Sequence, residues 1–336
     1  MKYASVHGRE IRGSAVHKTQ KERQEIKEKE TKAEIKQEIK REEIEAKFLV
    51  PKSQNFVETQ AVKNYEQRVE MWLRNGYPVH IIGPTGCGKT ALAIRVAEKL
   101  GKPAVWINGD EAITTTDLIG GYSKVEMSSI RDKYIHNVYK DKDTVEALWV
   151  SNPLTLACSN GYTLIYNEFS RTRPEANNVL LSILEEGVLE LPTKFGEERY
   201  IKVHPNFSVI LTSNNIEYAG VHKPQDALLD RMPAIHMDYY DRETEVQIVK
   251  AHSKSSRTEA EKIVDLIRNL RGVLNGAEKP GIRPAIMISK AIGNSNGYSK
   301  EFFEQICVDA IGSKFRDFKD VENKRRIIRE QVNKLN

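Results

Sequence analysis

At 336 residues, the chain is long enough to bury a full hydrophobic core and suits one large domain or two moderate ones. Hydrophobic residues make up 39% of the sequence and charged residues 29%, which is typical of a soluble globular protein. No apolar run approaches the ~18 residues that a membrane span needs, and the first residues lack the apolar stretch of a signal peptide, so we expect a cytoplasmic protein. The three cysteines are too widely spaced for a disulfide framework or a Cys-x-x-Cys metal site: Cys87, Cys158 and Cys307.

The net charge of +5 raises the question of a nucleic-acid partner. The most charged stretch, residues 18–47, holds ten Lys or Arg and nine Glu, so it is a mixed-charge segment and not a basic patch. The three tryptophans lie tens of residues apart in the sequence and predict no stacking platform for single strands. We therefore expect no nucleic-acid partner.

Residues 1–47 are predicted to be a charged tail followed by a helical arm. Residues 1–17 carry no periodic signal, whereas residues 18–47 contain no Gly or Pro and consist mainly of strong helix formers. Pairs such as Glu25 and Lys29 lie one helical turn apart in the favoured order. Two interpretations remain open for this arm. It is either a lone charged helix or a partly disordered segment, which we favour for the isolated chain, or an arm that docks on a partner or a neighbouring subunit.

Residues 48–240 have the pattern of an α/β domain, with a boundary marked by Pro51 and the polar run after it. A predicted helix at 61–74 precedes five short apolar runs, at 79–82, 104–107, 164–166, 207–211 and 234–237. Helical stretches separate most of these runs, which predicts a parallel sheet covered by helices on both faces. After Asp241 the strand signals stop, and helical patterns at 242–252, 258–274 and 302–311 predict a smaller all-helical domain over 241–336.

The most specific short motif matches the phosphate-loop pattern G-x-x-x-x-G-K-[ST] and lies between the predicted strand at 79–82 and a predicted helix at 91–100. Glycines let the backbone N–H groups turn inward around phosphates, and the helix N-terminus adds a positive field. The lysine supplies a charge for the β and γ phosphates, and the threonine offers a hydroxyl to Mg²⁺. The motif therefore predicts a nucleoside triphosphate site formed by Gly83, Pro84, Thr85, Gly86, Cys87, Gly88, Lys89 and Thr90.

Hydrolysis needs further groups, and the first two follow the apolar run at 164–166. A strand that ends in two acidic residues usually lies beside a phosphate loop, with the first carboxylate in the Mg²⁺ shell and the second polarising the attacking water. Glu168 is accordingly predicted to be the catalytic base. Asn167 stands where the first carboxylate is expected. Its oxygen accepts hydrogen bonds but lacks the charge, so we expect weakened Mg²⁺ affinity with activity retained.

Three more residues complete the predicted catalytic set. Asn214 ends the strand-like run at 209–214, where it is placed to bond the γ-phosphate and the attacking water. Arg231 ends a helix-like run before the last predicted strand and is a candidate arginine finger. The alternative for Arg231 is a charge at a helix C-terminus stabilised by the helix dipole. Arg283, in the helical region, is a candidate to reach the γ-phosphate.

The phosphate loop, Glu168, Asn214, Arg231 and Arg283 occur in an order that resembles the AAA+ ATPases, and among them the MoxR group. Residues 185–192 running on to 203–207 are similar to the hairpin that MoxR-like proteins carry before the sensor strand. Three longer segments, 76–93, 167–192 and 212–231, resemble the GvpN family of gas vesicle accessory ATPases. The resemblance covers roughly residues 56–283. Asn167 departs from the Asp-Glu pair that is frequent in that family.

This resemblance implies an AAA+ P-loop NTPase fold. A five-stranded parallel sheet would lie between helices, with a small all-helical lid domain and a charged N-terminal helical extension. It implies ATP and Mg²⁺ as cofactors, with phosphate and metal contacts from Lys89 and Thr90. Glu168 would be the base, Asn214 the first sensor, Arg231 the finger and Arg283 the second sensor. Because AAA+ fingers act on the nucleotide of the next subunit, the resemblance implies a ring homo-oligomer, most simply a hexamer, with ATP sites at subunit interfaces.

The function that the resemblance implies is ATP hydrolysis that drives gas vesicle assembly or maturation. Its partners would be further copies of the chain and gas vesicle shell or accessory proteins, and its location the cytoplasm, in association with gas vesicles. Two alternatives remain open. One is a nucleotide-binding structural or scaffold protein with little turnover, which Asn167 favours; the other is a MoxR-type chaperone for another complex.

Overall fold

The computed structural model describes residues 49–50, 55–132, 140–191, 199–214, 222–274, 278–293, 297–312 and 318–334, with the backbone alone at 122–132, 140–148 and 318–320. The predicted tail and arm at 1–47 and the boundary at Pro51 lie outside these residues. The strands in chain order are β1 Val79–Ile82, β2 Ala104–Asn108, β3 Gly120–Asp132, β4 Lys140–Ser151, β5 Thr163–Asn167, β6 Val188–Glu190, β7 Tyr200–Lys202, β8 Ser208–Ser213 and β9 Ala234–His236.

The helices precede, separate and follow these strands, and a 3-10 turn at Phe169–Arg171 follows β5. In chain order they are α1 Gln60–Arg74, α2 Lys89–Lys99, α3 Thr115–Ile119, α4 Pro153–Asn160, α5 Pro174–Asn177, α6 Val179–Glu185, α7 Asp226–Leu229, α8 Arg242–His252, α9 Arg257–Val273, α10 Ile282–Gly293, α11 Lys300–Gly312 and α12 Phe318–Asn333. No helix in the described part of the chain combines the length and the apolar character that crossing a membrane requires.

Within the described residues, the central sheet has five parallel strands in the order β2-β5-β8-β1-β9. The predicted sheet is therefore confirmed, and its strands coincide with the five apolar runs to within about two residues. Alternate side chains point to opposite faces, as the two-residue period of a strand requires. On β5, Leu164 and Tyr166 pack into one core cluster, whereas Ile165 packs into the other. Both faces are thus buried, which explains why these strands read as continuous apolar runs.

In the described part of the chain, two antiparallel hairpins lie outside the central sheet. The shorter, β6 with β7, follows α6 and precedes β8, so the hairpin expected before the sensor strand is confirmed. The longer, β3 with β4, joins α3 to α4 and was not predicted. Its register shifts between Ser123 and Glu126.

The described residues after Asp241 form helices with short connections and no strand, as predicted. α8 begins after Asp241, whose carboxylate accepts a hydrogen bond from the Thr244 backbone N–H at 2.9 Å. α9 begins with a capping box in which Ser256 and Glu259 bond each other's backbone N–H groups. α8 to α12 share an apolar core of their own. The helices α10 and α12 were not predicted individually.

Candidate active site

The phosphate loop connects the carboxyl end of β1 to the start of α2 and depends on its glycines. Gly86 and Gly88 have φ angles of +80° and +97°, which side chains other than glycine's rarely adopt. A Cβ on Gly83 would lie 2.5 Å from the Met237 carbonyl oxygen. No side chain of the described residues caps the N-terminus of α2, so its first N–H groups remain available to an anion.

Lys89 is held inside this loop by three hydrogen bonds. Its ammonium donates to the Gly83 and Pro84 carbonyl oxygens and to Asn214 Oδ1, each at 2.9 Å. Burial disfavours the charged form and lowers the pKa of Lys89, while Glu168 acts in the opposite direction. The contact with Asn214 places the predicted lysine and the predicted first sensor in one cluster.

Asn167, at the end of β5, joins the phosphate loop to the neighbouring strands. Its Oδ1 accepts hydrogen bonds from the Thr90 hydroxyl at 2.9 Å and from the Thr212 hydroxyl at 2.8 Å. Its Nδ2 donates to Asn108 Oδ1 at 3.2 Å. Thr90 and Asn167 therefore present a hydroxyl and an amide oxygen side by side, which are oxygen donors of the kind that Mg²⁺ prefers.

Glu168 leaves the strand in a left-handed backbone conformation, with φ +52°. Such a conformation costs a non-glycine residue about 1–3 kcal/mol and is concentrated at functional sites. The Glu168 N–H donates to Thr212 Oγ1 at 3.2 Å, and its carboxylate pairs with Arg171 at 3.0 Å. A Cβ on Gly109 would lie 2.1 Å from the Glu168 carbonyl oxygen, so Gly109 leaves room for this turn.

A cavity of about 370 Å³ collects the predicted residues. Its polar lining includes the phosphate loop from Thr85 to Thr90 together with Asn167, Glu168, Asn214 and Arg283. Its apolar lining includes Phe56, Val57, Val62, Ile94, Ile248 and Ile286. A cavity lined by both phosphate-binding groups and apolar side chains suits a nucleotide, which has a charged tail and a flat, largely apolar base.

Comparison with known proteins agrees with this geometry. Residues 78–232 match the family model of the AAA domain (dynein-related subfamily). The chain is 54% identical over 277 residues to the gas vesicle ATPase GvpN of Haloferax mediterranei, covering 82% of this chain and 79% of the relative. It is 52% identical over 287 residues to the gas vesicle ATPase GvpN1 of Halobacterium salinarum, covering 85% and 82%. The corresponding protein of Ancylobacter aquaticus is 42% identical over 262 residues, covering 77% and 73%.

The chain belongs to the GvpN family. It is therefore an AAA+ ATPase that binds nucleotide. The fold that the sequence resemblance implied is confirmed: the five-stranded parallel sheet carries helices, and the region after it is helical.

Arg231 does not line the cavity of its own chain. It follows α7 with its guanidinium directed back to the Ala227 carbonyl oxygen and paired with Glu185 at the end of α6. The other predicted catalytic residues, Glu168, Asn214 and Arg283, all line the cavity. The structure therefore places Arg231 apart from Glu168, Asn214 and Arg283, which lie together at the cavity.

Several residues at the site were missed by the sequence analysis. Asn108 and Thr212 bond Asn167, Arg171 pairs with Glu168, and Gly281 packs against the phosphate loop. A Cβ on Gly281 would lie 2.7 Å from the Thr85 carbonyl oxygen. A signal existed for Asn108, because a polar residue at the carboxyl end of a buried strand lies at the edge where α/β proteins bind ligands.

Proposed function

We propose that the protein is a ring-forming, Mg²⁺-dependent ATPase that hydrolyses ATP at subunit interfaces to drive gas vesicle assembly or maturation. The observation that carries this proposal is the division of the catalytic set. Lys89, Asn167, Glu168 and Asn214 share one cavity, whereas Arg231 points away from the cavity of its own chain. A site that lacks its finger among the described residues of one chain is completed when a neighbouring chain supplies it.

Each residue in the cavity has a distinct role in this proposal. Lys89 holds the β and γ phosphates, and the N–H groups of the loop surround them. Thr90 and Asn167 hold Mg²⁺, which when bound neutralises charge on the phosphates. Glu168 accepts a proton from the attacking water, and Asn214 orients that water.

The helices after the sheet act as a lid over the nucleotide. Arg283, in the first turn of α10, lines the same cavity as the phosphate loop. The backbone N–H of Ile282 donates to the Gly86 carbonyl oxygen at 3.2 Å, so the start of α10 is tied to the loop. We therefore assign residues 48–240 to the nucleotide-binding domain and 241–336 to the lid domain.

The proposed assembly is a homo-oligomeric ring, most simply a hexamer, in which Arg231 reaches the nucleotide of the next subunit. Glu185 pairs with Arg231 in the single chain. In the ring, Arg231 would leave Glu185 and bind the γ-phosphate of the neighbouring subunit's nucleotide. Both partners are partly exposed, and exposed ion pairs contribute about 0–1 kcal/mol, so this release is energetically easy.

The client is proposed from the family. The similar proteins are named gas vesicle ATPases, which supports gas vesicle shell or accessory proteins as clients and a cytoplasmic location at the gas vesicles. In a gas-vesiculate host, deleting the gene should block vesicle maturation, and a wild-type copy should restore it while a Glu168→Gln copy should not. Normal vesicles in the deletion strain would refute the assembly role.

The ring is tested by sizing the purified protein by light scattering with and without ATP. Wild type and Glu168→Gln should shift to a ring with ATP, because Glu168→Gln binds nucleotide without turning it over. Persistence of a monomer at concentrations that saturate ATP binding would refute the interface mechanism.

A further inference from the structure

A row of polar side chains crosses the carboxyl ends of β2, β5 and β8. Asn108 and Asn167 are opposite each other in the β2–β5 register. Asn167 donates from Nδ2 to Asn108 Oδ1 at 3.2 Å and accepts at Oδ1 from Thr212 at 2.8 Å and Thr90 at 2.9 Å. Trp106, two residues before Asn108, donates its indole N–H to the same Asn108 oxygen at 2.6 Å.

The direction of these hydrogen bonds is set by the groups at the two ends of the row. An indole N–H only donates, so Asn108 must turn its oxygen and not its NH₂ toward Trp106. That oxygen then faces residue 167, where a donor is favoured over an acceptor. At the other end, Thr212 is fully buried, so its hydroxyl hydrogen needs an acceptor, which Asn167 Oδ1 provides.

We propose that Trp106 and Asn108 are positioning residues that hold the Asn167 amide with its oxygen toward Thr90. Asparagine is therefore the residue whose hydrogen-bond donor and acceptor match these neighbours at position 167 of this chain. With the opposite orientation, the amide NH₂ would face the Thr90 hydroxyl and repel a cation. The inference rests on the proposed function in one respect, namely that Thr90 and Asn167 hold Mg²⁺.

An aspartate at position 167 would be mismatched with these neighbours. Its second carboxylate oxygen would face Asn108 Oδ1, so that two acceptors would meet where a donor and an acceptor meet now. If Asn108 turned its NH₂ toward the carboxylate, that NH₂ would also face the Trp106 indole N–H, and two donors would meet. Either arrangement loses one hydrogen bond, which opposes the gain in metal affinity from the added charge.

Replacing the indole removes this conflict. In Trp106→Phe no N–H faces Asn108, so Asn108 is free to turn and donate to a carboxylate at 167. The cost of Asn167→Asp should therefore be smaller in the Trp106→Phe background than in the wild-type background. Trp72→Phe is a matched control, because Trp72, in α1, packs edge-to-face against Tyr77 and is not a member of this row.

The first measurement is the unfolding midpoint of the nucleotide-free protein for Asn167→Asp, Trp106→Phe and the double variant. We expect Asn167→Asp to lower the midpoint in the wild-type and Trp72→Phe backgrounds by the same amount. In the Trp106→Phe background we expect at most half of that shift. Equal shifts in all three backgrounds would overturn the role of Trp106. This measurement involves no metal and no turnover.

The second measurement is the affinity for a fluorescent ATP analogue, once with Mg²⁺ and once with EDTA. The ratio of these two affinities is the Mg²⁺-dependent gain. Asn108→Leu should reduce this gain about three- to tenfold, the equivalent of one net hydrogen bond, with the affinity in EDTA unchanged within about twofold. Asn108→Asp keeps an acceptor toward both neighbours and should retain at least the wild-type gain.

The outcomes separate the two proposals. If Asn108→Leu keeps the wild-type Mg²⁺-dependent gain, the positioning role is overturned. The same holds if Asn108→Asp loses as much of the gain as Asn108→Leu does. The ATPase proposal stands in both cases. A wild-type protein with no Mg²⁺-dependent gain overturns the metal site at Thr90 and Asn167, and with it this inference.

Discussion

Gly281→Ala is expected to impair the ATPase through the contact between the lid and the phosphate loop. The added Cβ would lie 2.7 Å from the Thr85 carbonyl oxygen and 2.8 Å from Gly86 Cα. Both neighbours are backbone atoms, so neither can rotate away. Restoring a separation of 3.4 Å requires the start of α10 to move by about 0.7 Å, which also breaks the 3.2 Å bond from Ile282 N–H to Gly86 O.

This displacement carries Arg283 away from the cavity that it lines. A misplacement of about 1 Å in a catalytic group costs up to about 10²-fold, so we expect kcat to fall about ten- to a hundredfold. Strain in the lid contact should lower the free energy of unfolding by about 1–3 kcal/mol. Phosphate release at saturating ATP and urea unfolding measure the two effects.

Gly272→Ala is the matched control for this prediction. Gly272 lies in α9, and a Cβ there meets no heavy atom within 4 Å. Because alanine favours the helix over glycine, this variant should gain about 0.5–1 kcal/mol of stability and keep wild-type turnover. If Gly281→Ala turned over ATP as fast as Gly272→Ala, the coupling of α10 to the phosphate loop would be refuted.

Three further predictions follow from the site. Glu168→Gln should lower phosphate release by at least about 10²-fold while ATP binding is retained, because the amide cannot accept the proton of the attacking water. Arg231→Ala should lower turnover by about 10³-fold or more, and mixing it with Glu168→Gln should restore part of the activity if the finger acts on the neighbouring subunit's nucleotide. His80, buried against Ser213 and Phe169, should make the protein less stable in acid. Burial, with a smaller contribution from His236, lowers the pKa of His80 to about 4.

The sign of the His80 effect follows from proton binding. The unfolded chain protonates His80 near its usual pKa of about 6.5, whereas the folded chain does not protonate it until about pH 4. The free energy of unfolding should therefore fall by about 3 kcal/mol between about pH 6.5 and pH 4, and stay constant above this range as far as His80 contributes. Unfolding of His80→Gln at several pH values measures the contribution.

Each of these predictions has a contrary outcome. Equal phosphate release by Glu168→Gln and wild type would remove Glu168 from the role of base. If Arg231→Ala and Glu168→Gln proteins form mixed rings that stay inactive, the finger acts on the nucleotide of its own subunit. A His80→Gln variant with the wild-type pH slope would assign acid sensitivity to other groups.

The strands and the nucleotide loop were predictable because their determinants are local. Buried parallel strands must be apolar on both faces, so β1, β5 and β8 appear in the sequence as short apolar runs. The phosphate loop is specified by glycines whose φ angles suit few other residues and by the lysine and threonine that start α2. The β3–β4 hairpin was missed, since its strands pair with each other outside the central sheet and lack such a run.

Glu168 and Asn214 were predicted as site residues because each follows a strand signal, and Arg283 because it lies in the helical region and matches the family resemblance. The structure places all three in one cavity. The sequence by itself thus determined the strands of the central sheet, the phosphate loop and the candidate residues. It could not place Asn108 and Thr212 on either side of Asn167, since that depends on the order β2-β5-β8, in which strands far apart in the chain become neighbours. Nor could it show that the Arg231 guanidinium turns to Glu185 and away from the cavity. Those hydrogen bonds and ion pairs join atoms that only tertiary packing brings within about 3 Å, and their polarity is set by partners remote in sequence.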